Sequence, residues 1–308
     1  MILLTGAGGF IGTALRSHFT GRGQKVIPVI RGRTFTVDDA GISMDLDEPS
    51  HYEKLLERCS GCTTLIHLAG RIDIQFAPTG DSDVRPLAVA PKFADVYAAN
   101  VLMTSRLLEV AKSAGFAHVV FASSQTVYGL PTALPLREES ALAPLEYYAA
   151  SKAACETALA LWSRASGCRV TVLRFPGVWG ESRSGGLVHS LCRQAIAAGR
   201  LRVGAEYPLP LDVLHCDDVV AAFAAAFERR EQGFRVYNIA TGESCSLPRL
   251  GADVADLVPG CTVTTFGVPQ PDVVLDVTRA AHELGWRAVP RRERLSRFIG
   301  HLREQAHA

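Results

Sequence analysis

Tyr148 and Lys152 stand four residues apart in the run Glu146-Tyr-Tyr-Ala-Ala-Ser-Lys, a spacing that places a phenol and an ammonium on one face of a helix. A fixed cation beside a phenol favours the phenolate. It draws the pKa below its ordinary value of about 10, as a general acid/base near neutral pH requires. Taken alone, the pair is equally a solvated helix contact, so the rest of the site has to decide. Gly6, Gly9 and Gly12 follow the first apolar run, Met-Ile-Leu-Leu-Thr, and precede a helical pattern. Strand, tight turn and helix in that order let Gly6 take the turn, Gly9 admit a pyrophosphate and Gly12 pack helix against strand. The helix's first N–H groups then face the phosphates. Ser123 and Ser124 close a further apolar run, Phe121-Ala-Ser-Ser, where a hydroxyl can hold a substrate oxygen. Two serines at a strand end are ordinary turn residues unless other site parts accompany them.

The elements that must position these groups alternate. Strands are predicted at Ile2 to Leu4, Lys25 to Ile30, Gly41 to Met44, Thr64 to Leu68, His118 to Ala122 and Arg169 to Phe175. Helices are predicted at Phe10 to Phe19, Tyr52 to Cys59, Asp95 to Ser113 and Tyr148 to Ala165. This is the pattern of a parallel sheet with right-handed crossovers, an α/β doubly wound Rossmann sheet with its ligand crevice at the strand C-termini. The reading divides the chain into a dinucleotide-binding domain at 1–175, to which 211–227 and 235–240 return, and a smaller C-terminal α/β substrate lobe over 176–308. Residues 71 to 91 form a long connection with no strong period, either a substrate lid or a surface insertion.

Composition excludes several classes. With 308 residues and a formal net charge of +1, the chain has no electrostatic footprint for nucleic acid or a membrane surface. Its longest apolar stretch, Val219 to Phe227, is about nine residues, against about 20 for a bilayer span. The first apolar run carries no basic region ahead of it and leads into the glycine turn, which reads as a mature cytoplasmic start. Of eight cysteines, only Cys59 and Cys62 make a Cys-x-x-Cys. Without a second ligand pair they read as reduced thiols, and no metal site is expected. His67 in its apolar strand reads as a satisfied core histidine, His215-Cys-Asp-Asp218 as a helix start capped by aspartates, Arg229 and Arg230 as a solvated helix end, and Trp179 and Trp286 as core or interface aromatics.

Taken together, Thr5 to Gly12, Asp45-Leu46, Ile66 to Gly70, Asn100-Val, Ser123 to Gly129, Tyr148 to Lys152, Leu173 to Gly180, His215 to Asp218, Tyr237 to Ala240 and Leu284-Gly-Trp286 resemble the extended short-chain dehydrogenase/reductase superfamily, in particular its NAD-dependent epimerase/dehydratase family. The resemblance runs nearly the whole length and is specific for the superfamily rather than for a reaction. It implies Ser124, Tyr148 and Lys152 as catalytic residues, with Lys152 also on the nicotinamide ribose. It implies that Gly6, Gly9, Phe10, Ile11, Gly12, Asp45, Leu46, Leu68, Ala69, Gly70, Asn100, Phe175 and Pro176 border the cofactor. Ser124, Thr126 and Gly177 would meet the substrate.

Departures from the family's sugar-nucleotide pattern guide the finer reading. After the second strand, Arg31 and Arg33 replace the acid that an NAD-selective site shows, and a guanidinium suits a 2′-phosphate, so NADP(H) is favoured over NAD(H). Gln125 and Thr126 occupy the acidic pair of dehydratases, which argues against that reaction. Gly177 replaces an amide typical of epimerases. Leu211 replaces an arginine ahead of the His-x-Asp-Asp segment, and no diphosphate arginine precedes Asp276. The expectation is an oxidoreductase, a carbonyl reductase or alcohol dehydrogenase acting on a ketone, keto-sugar or nucleotide sugar. The alternative is an NAD-dependent sugar-nucleotide 4-epimerase, and a remote one is a non-catalytic cofactor sensor. Apolar positions such as Leu108 and Leu159, taken as facing outward, predict a homodimer; nucleic-acid and membrane partners are not expected.

Overall fold

The computed structural model describes residues 1–72, 76–78, 84–86, 92–204, 212–268 and 272–307. Its centre is an eight-stranded sheet built from β1 (Ile2–Thr5), β2 (Val26–Arg31), β3 (Thr36–Asp38), β4 (Gly41–Met44), β5 (Thr64–His67), β8 (His118–Ser124), β9 (Arg169–Phe175) and β13 (Phe234–Asn238). Their order is β13-β9-β8-β5-β1-β2-β4-β3. Every neighbouring pair is parallel except β3 and β4. β1 lies between β2 and β5, so the direction of winding reverses at its two sides, and a crevice opens at the strand C-termini there. The short antiparallel β3 was not anticipated: its three residues are all exposed, so no alternating pattern marks it.

Alternation along the strands assigns the two faces. Leu3, Val29, Leu65, Val119 and Phe121 pack with Leu55, Leu107 and Leu159, from α2 (Ser50–Arg58), α4 (Met103–Ser113) and α5 (Tyr147–Ser166). Ile2, Leu4, Ile66, Val120 and Tyr237 pack on the other face with Leu15, Phe19, Val219 and Phe223, from α1 (Phe10–Gly21) and α7 (Cys216–Glu228). The helix expected from Asp95 to Ser113 is broken. α3 (Phe93–Tyr97) runs through a π-turn at Ala98–Leu102 into α4, a local widening that often marks a functional position.

The hairpin strands β6 (Phe76–Pro78) and β7 (Val84–Pro86) pair antiparallel; most of the 71–91 connection lies outside the described residues, as does Leu211. Later elements are β10 (Gly177–Trp179), α6 (Leu187–Ala198), β11 (Arg200–Gly204), β12 (Val213–His215), α8 (Leu247–Asp256), β14 (Thr262–Phe266), α9 (Thr278–Glu283) and α10 (Arg291–His307). Parallel pairs β10 with β12 and β11 with β14 surround a separate core of Trp179, Leu191, Leu201, Leu250, Leu295 and Phe298. Trp286 is buried in the sheet's second face.

Two expectations fail on burial and a third on capping. Leu108 and Leu159 are core residues, 4% and 0% exposed, because α4 and α5 turn those positions toward the sheet. Arg229 is buried, with Nη1 donating to Thr171 Oγ1 at 3.3 Å, while Arg230 does lie exposed. α7 is capped by His215, whose Nδ1 accepts from Asp217 N at 3.2 Å; Asp218 instead pairs with Arg294 at 2.7 Å.

Candidate active site

The parallel register brings the ends of β1, β2, β5, β8 and β9 to one edge: Thr5 lies beside Val29 and His67, His67 beside Phe121, and Ser124 beside Phe175. Gly6 follows β1 with φ +71°, a conformation that favours glycine. A Cβ on Gly12 would lie 2.1 Å from Gly6 O, so α1 can sit this close to the turn only without a side chain. Gly9 caps α1 with no side-chain bond, and the first turn holds no acid. The N–H groups of Phe10, Ile11 and Gly12 are thus left to an anion, helped by the helix dipole. Gly8 and Gly9 are exposed, which leaves room for a pyrophosphate. These are the features a bound dinucleotide needs, and the residues fit it.

The neighbouring strand ends complete the cofactor's surroundings. Leu68 N donates to Thr5 O, and Ala69 N donates to Thr5 Oγ1 at 3.3 Å. The same Thr5 hydroxyl meets His67 Nδ1 at 2.8 Å, and His67 Nε2 meets Thr104 Oγ1 at 3.0 Å. His67 is therefore a satisfied core histidine, and burial, with Lys152 adding to it, holds its pKa down at about 3. Asp45 and Leu46 follow β4, half-buried; Asp45 Oδ1 accepts from Asp47 N at 2.9 Å, and Leu46 O accepts from Tyr52 OH at 2.6 Å. Arg31 ends β2 and Arg33 follows it, both exposed, and no described residue pairs with either guanidinium. Phe175 packs edge-on to Phe223, Pro176 is buried, and Gly177 is exposed with open space where a side chain would stand.

Opposite the glycine turn, α5 presents Tyr148 and Lys152. Ser124 lies close enough to the Tyr148 phenol for its hydroxyl to favour the ionised form, and Ser124 Oγ lies 2.9 Å from Thr126 Oγ1. Lys152 Nζ donates to Ala122 O at 2.9 Å and sits 4.6 Å from the Phe121 ring centroid. Asn100, in the π-turn, donates from Nδ2 to Ser151 Oγ at 2.8 Å and to Arg71 O at 3.1 Å, while its Oδ1 accepts from Arg71 N at 2.7 Å. It therefore ties α5 to the chain leaving β5. A Cβ on Gly70 would come 3.1 Å from Asn100 Oδ1 and 3.3 Å from Lys152 Nζ. The missing side chain leaves the buried ammonium room beside Gly70.

Electrostatics corrects the simple picture of the pair. Burial pushes the Tyr148 phenol above its ordinary value; Glu146 adds to the rise and the Ser124 hydroxyl opposes it. Lys152, whose ammonium is 5.8 Å from the phenol ring centroid, is not among the groups that set this shift. Burial lowers Lys152 itself to about 8. Ser123 is also not a crevice residue. Its Oγ donates to the buried Glu156, which pairs with Arg174 at 2.6 Å. Two residues nearby escaped the sequence reading. Arg183 lies 5.7 Å over the Phe10 ring, a tertiary approach with no local signal. Glu146, adjacent to the tyrosine pair, has an Oε1 that is buried without a partner. Among the described residues no group of three His, Cys, Asp or Glu can hold a metal.

A doubly wound sheet with a glycine turn at its switch point, and serine, tyrosine and lysine across the crevice, defines an extended short-chain dehydrogenase/reductase. The chain belongs to the NAD dependent epimerase/dehydratase family, whose model matches residues 2–240. It is similar to a UDP-glucose 4-epimerase of Azospirillum brasilense, 27% identical over 97% of this chain and 89% of the relative. It is similar also to a GDP-6-deoxy-D-mannose reductase of Pseudomonas aeruginosa, 28% identical over 83% of this chain and 79% of the relative. Among solved structures, MoeE5 in complex with UDP-glucuronic acid and NAD superposes with a TM-score of 0.74 at 27% identity, covering 99% of both chains. The protein is an NAD-dependent-type oxidoreductase enzyme, and its relatives favour nucleotide-sugar chemistry over a general carbonyl reductase.

Proposed function

We propose that the protein is a nucleotide-sugar oxidoreductase that inverts a sugar hydroxyl by oxidation and re-reduction, as a 4-epimerase of a UDP-sugar. The observation that supports this most is the convergence of Ser124, Tyr148 and Lys152 at the strand ends, with the Lys152 ammonium next to the side-chain-free Gly70. A nicotinamide dinucleotide, when bound, supplies hydride acceptance and return. The rest falls to the protein. Tyr148 takes the proton from the sugar hydroxyl as its carbon is oxidised and gives it back on reduction. Ser124 and Thr126 hold the oxygen, Lys152 fixes the ribose side, and Gly6, Gly9, Phe10, Ile11 and Gly12 hold the pyrophosphate; Asn100, expected beside the cofactor, instead spends its amide on Arg71 and Ser151 and anchors the helix that carries Lys152. Asp45, Leu46, Leu68, Ala69, Phe175 and Pro176 line the cofactor, and the space at Gly177 admits the sugar. The dinucleotide binds to the 1–175 domain with its returning segments, and the sugar nucleotide to the 176–308 lobe.

The test is incubation of purified protein with UDP-galactose and assay for UDP-glucose without added reductant. Interconversion with a tightly held NAD supports the epimerase, whereas no conversion under any NAD load overturns it.

A second reading rests on Arg31 and Arg33, which stand free where a 2′-phosphate would lie, and on the likeness to the GDP-sugar reductase. In it, NADPH reduces a 4-keto nucleotide sugar once, with Tyr148 as proton donor. We also propose a homodimer. The outward positions Leu102 and Leu161, 42% and 62% exposed, replace Leu108 and Leu159 as its apolar contacts. A monomeric mass by sedimentation at micromolar concentration would overturn it.

A further inference from the structure

Arg183 belongs to the substrate lobe but ends over the dinucleotide turn. It lies in the connection between β10 and α6, where its backbone N–H donates to Gly180 O at 3.1 Å. That connection rests on the first residue of α1. A Cβ on Gly180 would stand 3.3 Å from Phe10 Cζ, so a side chain there would crowd the ring. The Arg183 guanidinium sits 5.7 Å over the same ring, and its Nη1 donates to Val178 O at 2.8 Å. Gly185 and Gly186 follow with φ +101° and +86°, conformations that favour glycine and turn the chain into α6.

Most of this arginine's donor capacity is unused. A guanidinium carries several N–H donors in a planar fork; the Val178 carbonyl takes one, and the residue is exposed. No described carboxylate pairs with it. Glu181, the acid on the same connection, is held by His215 at 2.9 Å. The glycine turn has the complementary deficit. Gly6, Gly9, Phe10, Ile11 and Gly12 are uncharged, and the helix dipole offers only about half a charge to a pyrophosphate that carries more than one.

We propose that Arg183 is a binding residue for the pyrophosphate of the dinucleotide, reaching it from the substrate lobe across the face of Phe10. A guanidinium suits both tasks, since it stacks on an aromatic ring and pairs through its fork with phosphate oxygens. The diphosphate of a sugar nucleotide offers the same chemistry. The dinucleotide is favoured because Phe10, the residue under the guanidinium, is part of the dinucleotide's own turn. One side chain thereby ties the β10–α6 connection to the cofactor and supplies the positive charge that the glycine turn lacks. The inference rests on the crevice as a dinucleotide site, and it names a residue of the other lobe as part of that site.

The test reads binding and needs no turnover. Full-length protein freed of bound nucleotide is titrated by calorimetry with NAD, ADP-ribose and AMP, as wild type, Arg183→Ala and Arg183→Lys. Arg183→Ala should weaken NAD and ADP-ribose about tenfold or more, and AMP, which has no pyrophosphate, distinctly less. Arg183→Lys, which keeps the charge but not the fork, should recover part of the loss. NAD affinity that is the same in Arg183→Ala as in wild type overturns the proposal. So does an equal loss for AMP and ADP-ribose, which would mark a general distortion of the crevice. So does a loss confined to UDP titrated into the NAD-loaded protein, which would assign the arginine to the sugar nucleotide. Wild-type protein that binds neither NAD nor ADP-ribose overturns the dinucleotide reading itself, so the two failures are told apart.

Discussion

Arg174 Nη2 lies 2.6 Å from Glu156 Oε2, and both side chains are only 4% exposed. The pair forms the hub of a polar network behind the site. Arg174 Nη1 donates to Tyr128 OH at 2.9 Å, Tyr128 OH donates to Asn238 Oδ1 at 2.6 Å, and Ser123 donates to Glu156. Glu156 sits one turn beyond Lys152, so the network clamps α5 to β8, β9 and β13. Removing one member strands the other as a buried charge. Glu156→Ala is expected to destabilise the fold by about 3–5 kcal/mol, measured by urea unfolding. A loss below about 1 kcal/mol would show that the pair is solvated in solution.

Tyr148→Phe removes the hydroxyl proposed to move the substrate proton, while the ring still fills its buried place. Turnover should fall by a factor on the order of 10²–10⁴, with NAD affinity changed little in a fluorescence titration. Normal turnover in the variant would remove Tyr148 from the mechanism.

Glycines of similar appearance differ in what surrounds them. Gly12→Ala would drive a methyl to within 2.1 Å of a backbone oxygen, so dinucleotide binding should weaken at least tenfold or the chain should fail to fold. Gly177→Ala meets open space and should alter stability by no more than about 0.5 kcal/mol. Calorimetric NAD titration of the first and thermal melting of the second check the contrast.

What the sequence disclosed depended on whether the signal was local. The six strands read from apolar runs all occur, and Gly41–Met44 and Arg169–Phe175 match to the residue. The glycine turn and the Tyr148/Lys152 pair depend on spacing within one element, and they meet at the crevice. Leu108 and Leu159 were misread because apolarity alone does not say which face a helix presents. Ser123 was misplaced because adjacent strand residues point to opposite sides, and its partner Glu156 is 33 residues away. The state of Tyr148 was misjudged because helical spacing shows Lys152 nearby but not how deeply the fold buries the phenol. No local pattern encodes burial, and burial dominates the phenol's shift.

Arg31 and Arg33 decide between the two cofactor readings. Arg31 at the end of β2 and Arg33 just after it are both exposed, so neither side chain is needed to hold the fold, and charge reversal should be tolerated. Arg31→Asp should lower the ratio of NADPH to NADH affinity several-fold if the guanidinium meets a 2′-phosphate. An unchanged ratio, with NAD preferred in both proteins, would leave the arginines as solvated loop residues and strengthen the epimerase reading.

His67 supplies a pH dependence whose sign can be worked out. Burial lowers its pKa from 6.5 to about 3, so below pH 6.5 the unfolded chain binds a proton that the folded chain refuses. Its contribution is complete above pH 6.5 and declines as the pH falls toward 3, by about 1.4 kcal/mol per unit where the two states differ by one full proton. Asp212 acts in the opposite sense, since burial raises its carboxyl to about 6 and the folded state takes up its proton first. Whole-protein stability is therefore a poor probe of either group. The informative quantity is the difference between wild type and His67→Asn, from urea midpoints at pH 7.5, 6 and 4.5. The wild type's advantage should shrink steadily across that range while the Thr5 and Thr104 partners remain in place. A difference that stays constant with pH would mean that His67 accepts a proton in the folded protein, and that its bonds to the two threonines open to admit it.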